Sequence, residues 1–311
     1  MKNIQYLFLL LFSSLMMSSQ WIAIDSQEPA RFQARSLSSD IQTTSLEFHL
    51  QGYSLTPIQT PWGEQFKIET EGGSSIMQTG TPDLDQVFTS IIIPDDGLMN
   101  LEVISSSYIE IEDIAVAPSK GNFSRMINPS DVPFVQGDSY LEDAFFPGKL
   151  ADLRDPYILR DFRGQTVVSY PFQYNPVTKV LRIYTDMIIR LTSEGQGQKN
   201  VLQRSSSMNK IDSEFNSIYR NQFINFNDNQ NESRFDYLTD QGNMLVICYD
   251  GFMDEMQPFV EWKNRKGIPT EMVSVSSVGS NSSTIENYVA DYYSQNGLTF
   301  LLLVGDVDQI P

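Results

Sequence analysis

The chain has 311 residues and a formal net charge of -18 at pH 7, which excludes a nucleic-acid-binding protein because phosphate contacts need clustered lysine and arginine. Its hydrophobic content of 41% is sufficient for packed cores and excludes a disordered chain. A chain of this length is expected to form about two domains.

The N-terminal residues have the order of a secretory signal. Lys2 is followed by an apolar run from Tyr6 to Met17 and then by the small polar residues Ser18 and Ser19, as signal peptides require. The run is shorter than the roughly 20 residues of a membrane span, and no later run reaches that length. We therefore expect a signal peptide over residues 1–19, followed by a soluble, secreted or cell-surface protein without a membrane span.

Residues 20–193 have the pattern of an antiparallel β domain. Leu46, Phe48 and Leu50 alternate with polar residues, which places the apolar side chains on one face of a strand. Three more β-rich runs and a turn signal follow, at Val87–Ile93, Leu101–Ile114, Asn175–Thr178 (the turn) and Lys179–Leu191. This region predicts an antiparallel β-sandwich or open barrel.

The next segment, residues 194–234, is rich in Ser, Asn and Gln. It predicts a linker with exposed, cleavable backbone and a short helix around Ile211–Phe223.

From Asn243 onward the pattern becomes that of an α/β domain. Met244–Cys248 is a continuous apolar run, which is typical of a strand covered on both faces of a parallel sheet. Four further elements follow: a helix ending near Gly267, a strand over Ile268–Val275, a helix opened by a Ser283–Glu286 capping box and ended by Gly297, and a strand over Leu298–Val304. Residues 235–311 are therefore predicted to form the β-α-β-α-β start of a doubly wound, truncated parallel sheet.

Cys248 and His49 are the only cysteine and the only histidine, so the chain forms no intramolecular disulfide. A Cys-His hydrolase needs both residues in one site. Cys248 lies in an apolar strand, where a thiol behaves as a small hydrophobe, and His49 occupies a polar-facing position in the other domain. We predict that this chain has no catalytic residue and, lacking HExxH, CxxC and phosphate-loop patterns, no metal site.

Several motifs occur in the order that they have in the gingipain-type cysteine proteases. The segments that are similar to the family's propeptide are Ala117–Gly121, Phe145–Gly148, Asp155–Asp161 and Phe172–Lys179. The segments that are similar to the start of its caspase-like catalytic domain are Phe259–Gly267, Leu302–Asp306 and Ile310–Pro311. The chain resembles the front part of a gingipain-like precursor.

This resemblance implies that residues 20–193 are a propeptide that inhibits its own protease domain and helps it to fold. It assigns Arg125 to the primary specificity pocket of that protease, with an ordinary solvated arginine as the alternative. It also assigns the processing site to Arg234 and Phe235, at the end of the linker.

For the complete protein, the resemblance implies a cysteine endopeptidase that acts on protein substrates and whose catalytic His and Cys lie beyond this chain. Export by the type IX route is typical of the family. No cofactor is required, although calcium can bind the family's complete catalytic domain. Asp306 and Asp308 are candidates for that role, and solvated loop acids are the favoured interpretation of both.

The alternative hypothesis is a secreted β-domain binding or inhibitor module without catalysis. In that case the α/β part should be a complete domain, and an exposed apolar sheet edge would count against it.

Overall fold

The computed structural model of the protein describes residues 19–40, 42–203, 213–226 and 242–310. Apart from Ser19, the predicted signal peptide lies outside these ranges. The described residues up to Leu202 form one compact unit, called here the β unit, and those from Gln203 onward form a second, the α/β unit. No helix in these ranges is both long enough and apolar enough to cross a membrane.

The β unit contains thirteen strands among its described residues. They are β1 (Gln20–Ala23), β2 (Gln33–Ser39), β3 (Thr43–His49), β4 (Gly52–Thr60), β5 (Gly63–Glu69), β6 (Ser74–Ser75), β7 (Asp85–Ile92), β8 (Gly97–Ile111), β9 (Ala151–Leu153), β10 (Tyr157–Leu159), β11 (Phe162–Ser169), β12 (Phe172–Asn175) and β13 (Val180–Gln196). Their pairings are antiparallel and form three sheets, β1-β4-β5, β10-β11-β7-β6 with β9 on β11, and β12-β13-β3-β2 with β8 on β13. The predicted antiparallel fold is confirmed.

Strand β13, the longest strand described in the β unit, pairs with three other strands. One of its edges pairs with β8 along residues 181–196, and the other edge pairs first with β12 and then with β3. Alternating residues of β3 and β13 are buried, as the sequence pattern predicts for Leu46, Phe48 and Leu50. The burial of these alternating side chains stabilises the unit through the hydrophobic effect.

The predicted turn at Asn175–Thr178 joins β12 to β13. The Asn175 side-chain oxygen accepts the N–H groups of Val177 at 3.0 Å and Thr178 at 3.2 Å. In this Asx turn the side-chain oxygen accepts the N–H groups in place of a backbone carbonyl.

A buried arginine fixes the end of the β unit. Arg163 in β11 is 1% exposed, and its guanidinium donates to the carbonyl oxygens of Asn200 at 2.8 Å and Lys199 at 2.9 Å. The same group donates to the carbonyls of Pro94 at 2.9 Å and Gly97 at 2.7 Å. It therefore joins the chain after β13 to the turn between β7 and β8, and its burial lowers the pKa of Arg163.

The α/β unit contains four α-helices and three strands among its described residues. They are α1 (Ser213–Gln222), β14 (Met244–Cys248), α2 (Met253–Arg265), β15 (Thr270–Ser274), α3 (Val275–Val278), α4 (Ser282–Asn296) and β16 (Phe300–Val304). The strands pair in parallel in the order β15-β14-β16. The predicted β-α-β-α-β order and parallel sheet are confirmed.

The central strand β14 is buried along its whole length. Leu245 and Ile247 pack toward α4, and Met244, Val246 and Cys248 pack toward α2. The sequence of β14 is apolar without interruption because both faces of the strand are covered.

The prediction for the start of α4 is wrong in its register. Asn281 is the N-cap, and its side-chain oxygen accepts the Thr284 N–H at 3.0 Å, so Ser283 lies inside the helix. The end of the helix agrees with the prediction, because Gly297 follows it with a φ of 68°. Asn and Ser are comparably good caps, and the helix adopts the register that buries Ile285.

The segment predicted as a linker contains α1, which confirms the short helix in the part of it that is described. Phe215 of α1 stacks on Phe300 of β16 with ring centroids 5.5 Å apart. Tyr219, Phe223 and Phe226 are at most 1% exposed. Residues 213–226 are therefore folded and carry buried aromatic side chains.

Candidate functional site

The candidate site is the long loop between β8 and β9. The first part of this loop is hydrogen-bonded to the core of the β unit. The N–H of Phe66 in β5 donates to the Ala115 carbonyl at 2.8 Å, and the Ala117 N–H donates back to Phe66 at 2.8 Å. Val116 between them is fully buried, and its carbonyl accepts the Tyr140 hydroxyl at 2.9 Å. The two ends of the loop are thereby held to the same point of the core.

A second set of contacts fixes the loop on the turn before β7. The Gly80 N–H donates to Ser119 at 2.9 Å, and the Gly80 carbonyl accepts the Gly137 N–H at 2.8 Å. A side chain at Gly80 would lie 2.9 Å from the Gly137 nitrogen, and Gly80 has a φ of +80°. Only glycine allows this approach, which brings the outgoing and returning parts of the loop onto one turn.

Lys120 connects the two parts of the loop nearer its tip. Its ammonium donates to the Pro129 carbonyl at 2.8 Å and lies 4.3 Å above the centre of the Phe134 ring. A short 3-10 turn begins at Pro129, and the Asn128 side chain caps it by accepting the Ser130 N–H at 3.1 Å. The residues between Lys120 and Pro129 therefore form a closed loop.

The tip of the closed loop is a tight turn over residues 124–127. The Ile127 N–H donates to the Ser124 carbonyl at 3.0 Å, and the Met126 N–H donates to Ser124 Oγ at 3.3 Å. Arg125 occupies the turn with an exposed side chain, and the next residue, Met126, is 92% exposed. Among the residues that the structure describes, Arg125 forms no ion pair. Its guanidinium is therefore accessible to a partner molecule.

The sequence motif Ala117–Gly121 marks the base of this loop, but it does not reveal what Lys120 and Ser124 contribute. The signal that could have indicated the structured tip is the Asn128-Pro129-Ser130-Asp131 sequence, which is a turn pattern. The contact from Lys120 to Pro129 joins residues that no local pattern connects.

The two residues that suggest a Cys-His pair lie in different units. Cys248 is fully buried in β14, and burial raises the pKa of its thiol, with further contributions from Asp250 and Glu255. Such a thiol is a poor nucleophile.

His49 binds carboxylates through both ring nitrogens. Nε2 lies 2.6 Å from Asp25 Oδ2, and Nδ1 lies 2.7 Å from Asp186 Oδ1. Burial lowers the pKa of His49, but the hydrogen bonds and charges of Asp186 and Asp25 outweigh it and leave that pKa above its ordinary value. The imidazole is an ion-pairing group between β3, β13 and the segment after β1.

Within the described ranges, no cluster of three or more His, Cys, Asp or Glu side chains could hold a metal ion. Asp306 accepts the Val307 N–H through its side chain at 2.7 Å, and its carbonyl accepts the N–H groups of Gln309 and Ile310. This carboxylate thus stabilises the turn after β16. The predicted processing site, Arg234 and Phe235, lies outside the described residues.

Two known families match successive parts of the chain. Propeptide_C25 matches residues 26–233, and Peptidase family C25 matches residues 237–311. These two matches define the class of the protein as a peptidase precursor.

Gingipain R2 of Porphyromonas gingivalis strain W83 is 37% identical over 286 residues, which cover 90% of this chain and 38% of that protein. Gingipain R1 of Porphyromonas gingivalis is 35% identical over 281 residues, which cover 88% of this chain and 27% of that protein. The solved complex of the Porphyromonas gingivalis RgpB pro- and mature domains matches 63% of this chain and 97% of its own chain, with 38% identity and a TM-score of 0.58. The chain belongs to the gingipain family of C25 peptidase precursors and comprises the propeptide followed by the first part of the peptidase domain, which confirms the resemblance.

Proposed function

We propose that the β unit inhibits its own cysteine endopeptidase by inserting Arg125 into the primary specificity pocket. The observation that carries this proposal is the position of Arg125 at the exposed tip of a loop whose two ends are fixed to the core. A guanidinium presents a planar fork of donors that matches a carboxylate at the base of a pocket. The solved relative, whose pro- and mature domains form a complex, supports a propeptide that binds its protease.

The proposed inhibitor, the β unit, is part of the same chain as the peptidase domain. A covalent connection raises the effective concentration of the propeptide, so a modest intrinsic affinity suffices for inhibition. Cleavage after Arg234 would end this advantage. The two family matches stop at residue 233 and resume at residue 237, which supports a processing site between Arg234 and Phe235.

The complete protein would be a secreted or cell-surface cysteine endopeptidase that cleaves protein substrates, exported through the N-terminal signal and the type IX route. Its mechanism would be attack by a thiolate, with a histidine as acid and base, from residues outside this chain. Calcium would be an accessory ion of the complete catalytic domain.

The alternative, a binding module without catalysis, agrees less well with the α/β unit. Leu301 and Leu303 on the edge strand β16 are 44% and 48% exposed. An exposed apolar edge of this kind is unusual in a self-sufficient binding domain.

The test measures inhibition of an arginine-specific gingipain-type protease by the full chain, with an arginine substrate. Arg125→Ala should weaken inhibition by about 30-fold or more, because loss of one partner of a buried charge pair costs at least about 2 kcal/mol. The control is Arg190→Ala, which removes another exposed arginine from β13 and should leave inhibition unchanged. Equal inhibition by wild type and Arg125→Ala would refute the assignment of Arg125.

A further inference from the structure

An arginine offered to an arginine-specific protease is also a potential cleavage site, and the bond at risk is the one between Arg125 and Met126. Hydrolysis requires that this bond be aligned with the attacking thiolate within a narrow geometric range. The structure holds the bond inside the 124–127 turn, where the Met126 N–H donates to Ser124 Oγ and the Ile127 N–H donates to the Ser124 carbonyl. To present an extended backbone, the loop must break both hydrogen bonds.

The base of the loop opposes the same change. Straightening the tip would separate the two parts of the loop that Lys120 joins through the Pro129 carbonyl at 2.8 Å and the Phe134 ring at 4.3 Å. Further down, the two parts are bound to the Gly80 backbone. The loop is therefore restrained at two levels, and pre-organisation of this kind favours binding over rearrangement.

These restraints also act if the bond is attacked. The thiolate would form a thioester with the Arg125 carbonyl carbon, the C–N bond would break, and the protonated histidine of the protease would donate its proton to the Met126 nitrogen as it leaves. Because both sides of the break stay attached to the core of the β unit, the new amine remains beside the thioester at high effective concentration. The amine can then attack the thioester, re-form the peptide bond, release the thiolate and return its proton to the same histidine.

We propose that Ser124 and Lys120 are positioning residues that make Arg125 an inhibitory group and prevent it from acting as a substrate. Ser124 acts on the backbone of the tip and Lys120 on the closure of the loop. The partner is the arginine-accepting site of a cysteine endopeptidase, so this inference rests on the function proposed for Arg125.

The experiment incubates the full chain with an arginine-specific gingipain-type protease and follows two quantities, the initial inhibition and the rate of cleavage after Arg125, the latter by mass spectrometry. Ser124→Ala removes the hydroxyl acceptor, and Lys120→Met removes the ammonium but keeps an unbranched side chain. Each should increase cleavage after Arg125 by about tenfold, as expected for loss of one hydrogen bond that restrains the loop. Initial inhibition should fall far less than in Arg125→Ala.

Two conservative variants separate positioning from general stability. Ser124→Thr keeps a hydroxyl and Lys120→Arg keeps a cationic donor, so both should restore slow cleavage. Cleavage after Arg190, in the paired strand β13, reports on unfolding of the whole β unit and should remain slow in every variant.

The possible outcomes distinguish this inference from the function on which it rests. If Arg125→Ala abolishes inhibition while Ser124→Ala and Lys120→Met are cleaved no faster than wild type, Arg125 is the inhibitory group and the positioning roles are refuted. A parallel rise in cleavage after Arg190 would also refute them, because the cause would then be unfolding. If Arg125→Ala inhibits like wild type, both proposals fail.

Discussion

Asp85 is a buried carboxyl whose replacement should stabilise the protein at neutral pH. It lies at the start of β7, is 5% exposed, and accepts the Thr70 N–H at 3.0 Å. Burial raises the pKa of Asp85 from 3.8 to about 6, although the Thr70 hydrogen bond and the charge of Lys67 act in the opposite direction. The folded β unit therefore binds this proton more tightly than the unfolded chain does.

The sign of the pH dependence follows from that difference. The stabilising contribution of the protonated carboxyl is fully present below pH 3.8 and is lost as the pH rises through about 6. A difference between 3.8 and about 6 corresponds to about 3 kcal/mol, at 1.36 kcal/mol for each tenfold change in proton affinity. At pH 7.5 the ionised Asp85 thus destabilises the fold by up to this amount.

Asp85→Asn removes the charge and keeps an oxygen that can accept the Thr70 N–H. We expect the variant to exceed wild type in stability at pH 7.5 by up to about 3 kcal/mol and to differ little from it at pH 4. Urea unfolding of the full chain at several pH values measures both quantities. The control is Asp113→Asn, at an exposed position with a φ of 57°, which asparagine also tolerates.

Taking the difference between Asp85→Asn and wild type at each pH removes the contribution of titrating groups that do not interact with Asp85, including His49. A variant that is less stable than wild type at pH 7.5, or a difference that does not change between pH 4 and pH 7.5, would contradict the reasoning.

Two further predictions concern buried or paired charges of the β unit. Arg163→Met should reduce the free energy of unfolding by about 3 kcal/mol, because it removes four hydrogen bonds from a charged donor, one of them buried and three partly buried. Urea unfolding measures this change, and a loss below about 1 kcal/mol would show that water replaces the guanidinium. His49→Gln should lower the thermal unfolding temperature at pH 5 and have little effect at pH 8, because the raised pKa of His49 means that its stabilisation is fully present below pH 6.5 and is lost as the pH rises through the folded pKa. An equal loss at both pH values would show that packing, and not charge, is responsible.

The parts of the fold that repeat a simple pattern could be predicted from the sequence. The alternation around Phe48 identifies β3, and the continuous apolar run before Tyr249 identifies the central strand of the parallel sheet. Both patterns reflect which faces of the strand are buried. The sequence of a single strand shows whether one face or both faces are buried. The end of α4 was predictable for a similar reason, because a glycine in the left-handed region is a local signal.

The features that resisted prediction depend on contacts between distant residues. Asp85 and Arg163 are charged side chains that composition assigns to the surface, and only the assembled sheets show that both are buried and hydrogen-bonded. The position of Arg125 came from resemblance, but the hydrogen bonds of Lys120 and Ser124 that shape its loop appear only in the structure. Asn281 and Ser283 are both competent caps, so the start of α4 is decided by packing.

The central place of β13 has a consequence for the order of folding. Strands β3, β8 and β12 all complete their pairing on β13, which is the last strand of the β unit in the chain. Strands β3 and β8 are distant from β13 in sequence, and pairing between distant segments slows folding. Both strands have an unpaired edge until β13 emerges. A chain synthesised from its N-terminus would therefore keep these strand edges open until residue 196 had emerged, so that the propeptide would complete its fold only shortly before the peptidase domain follows it.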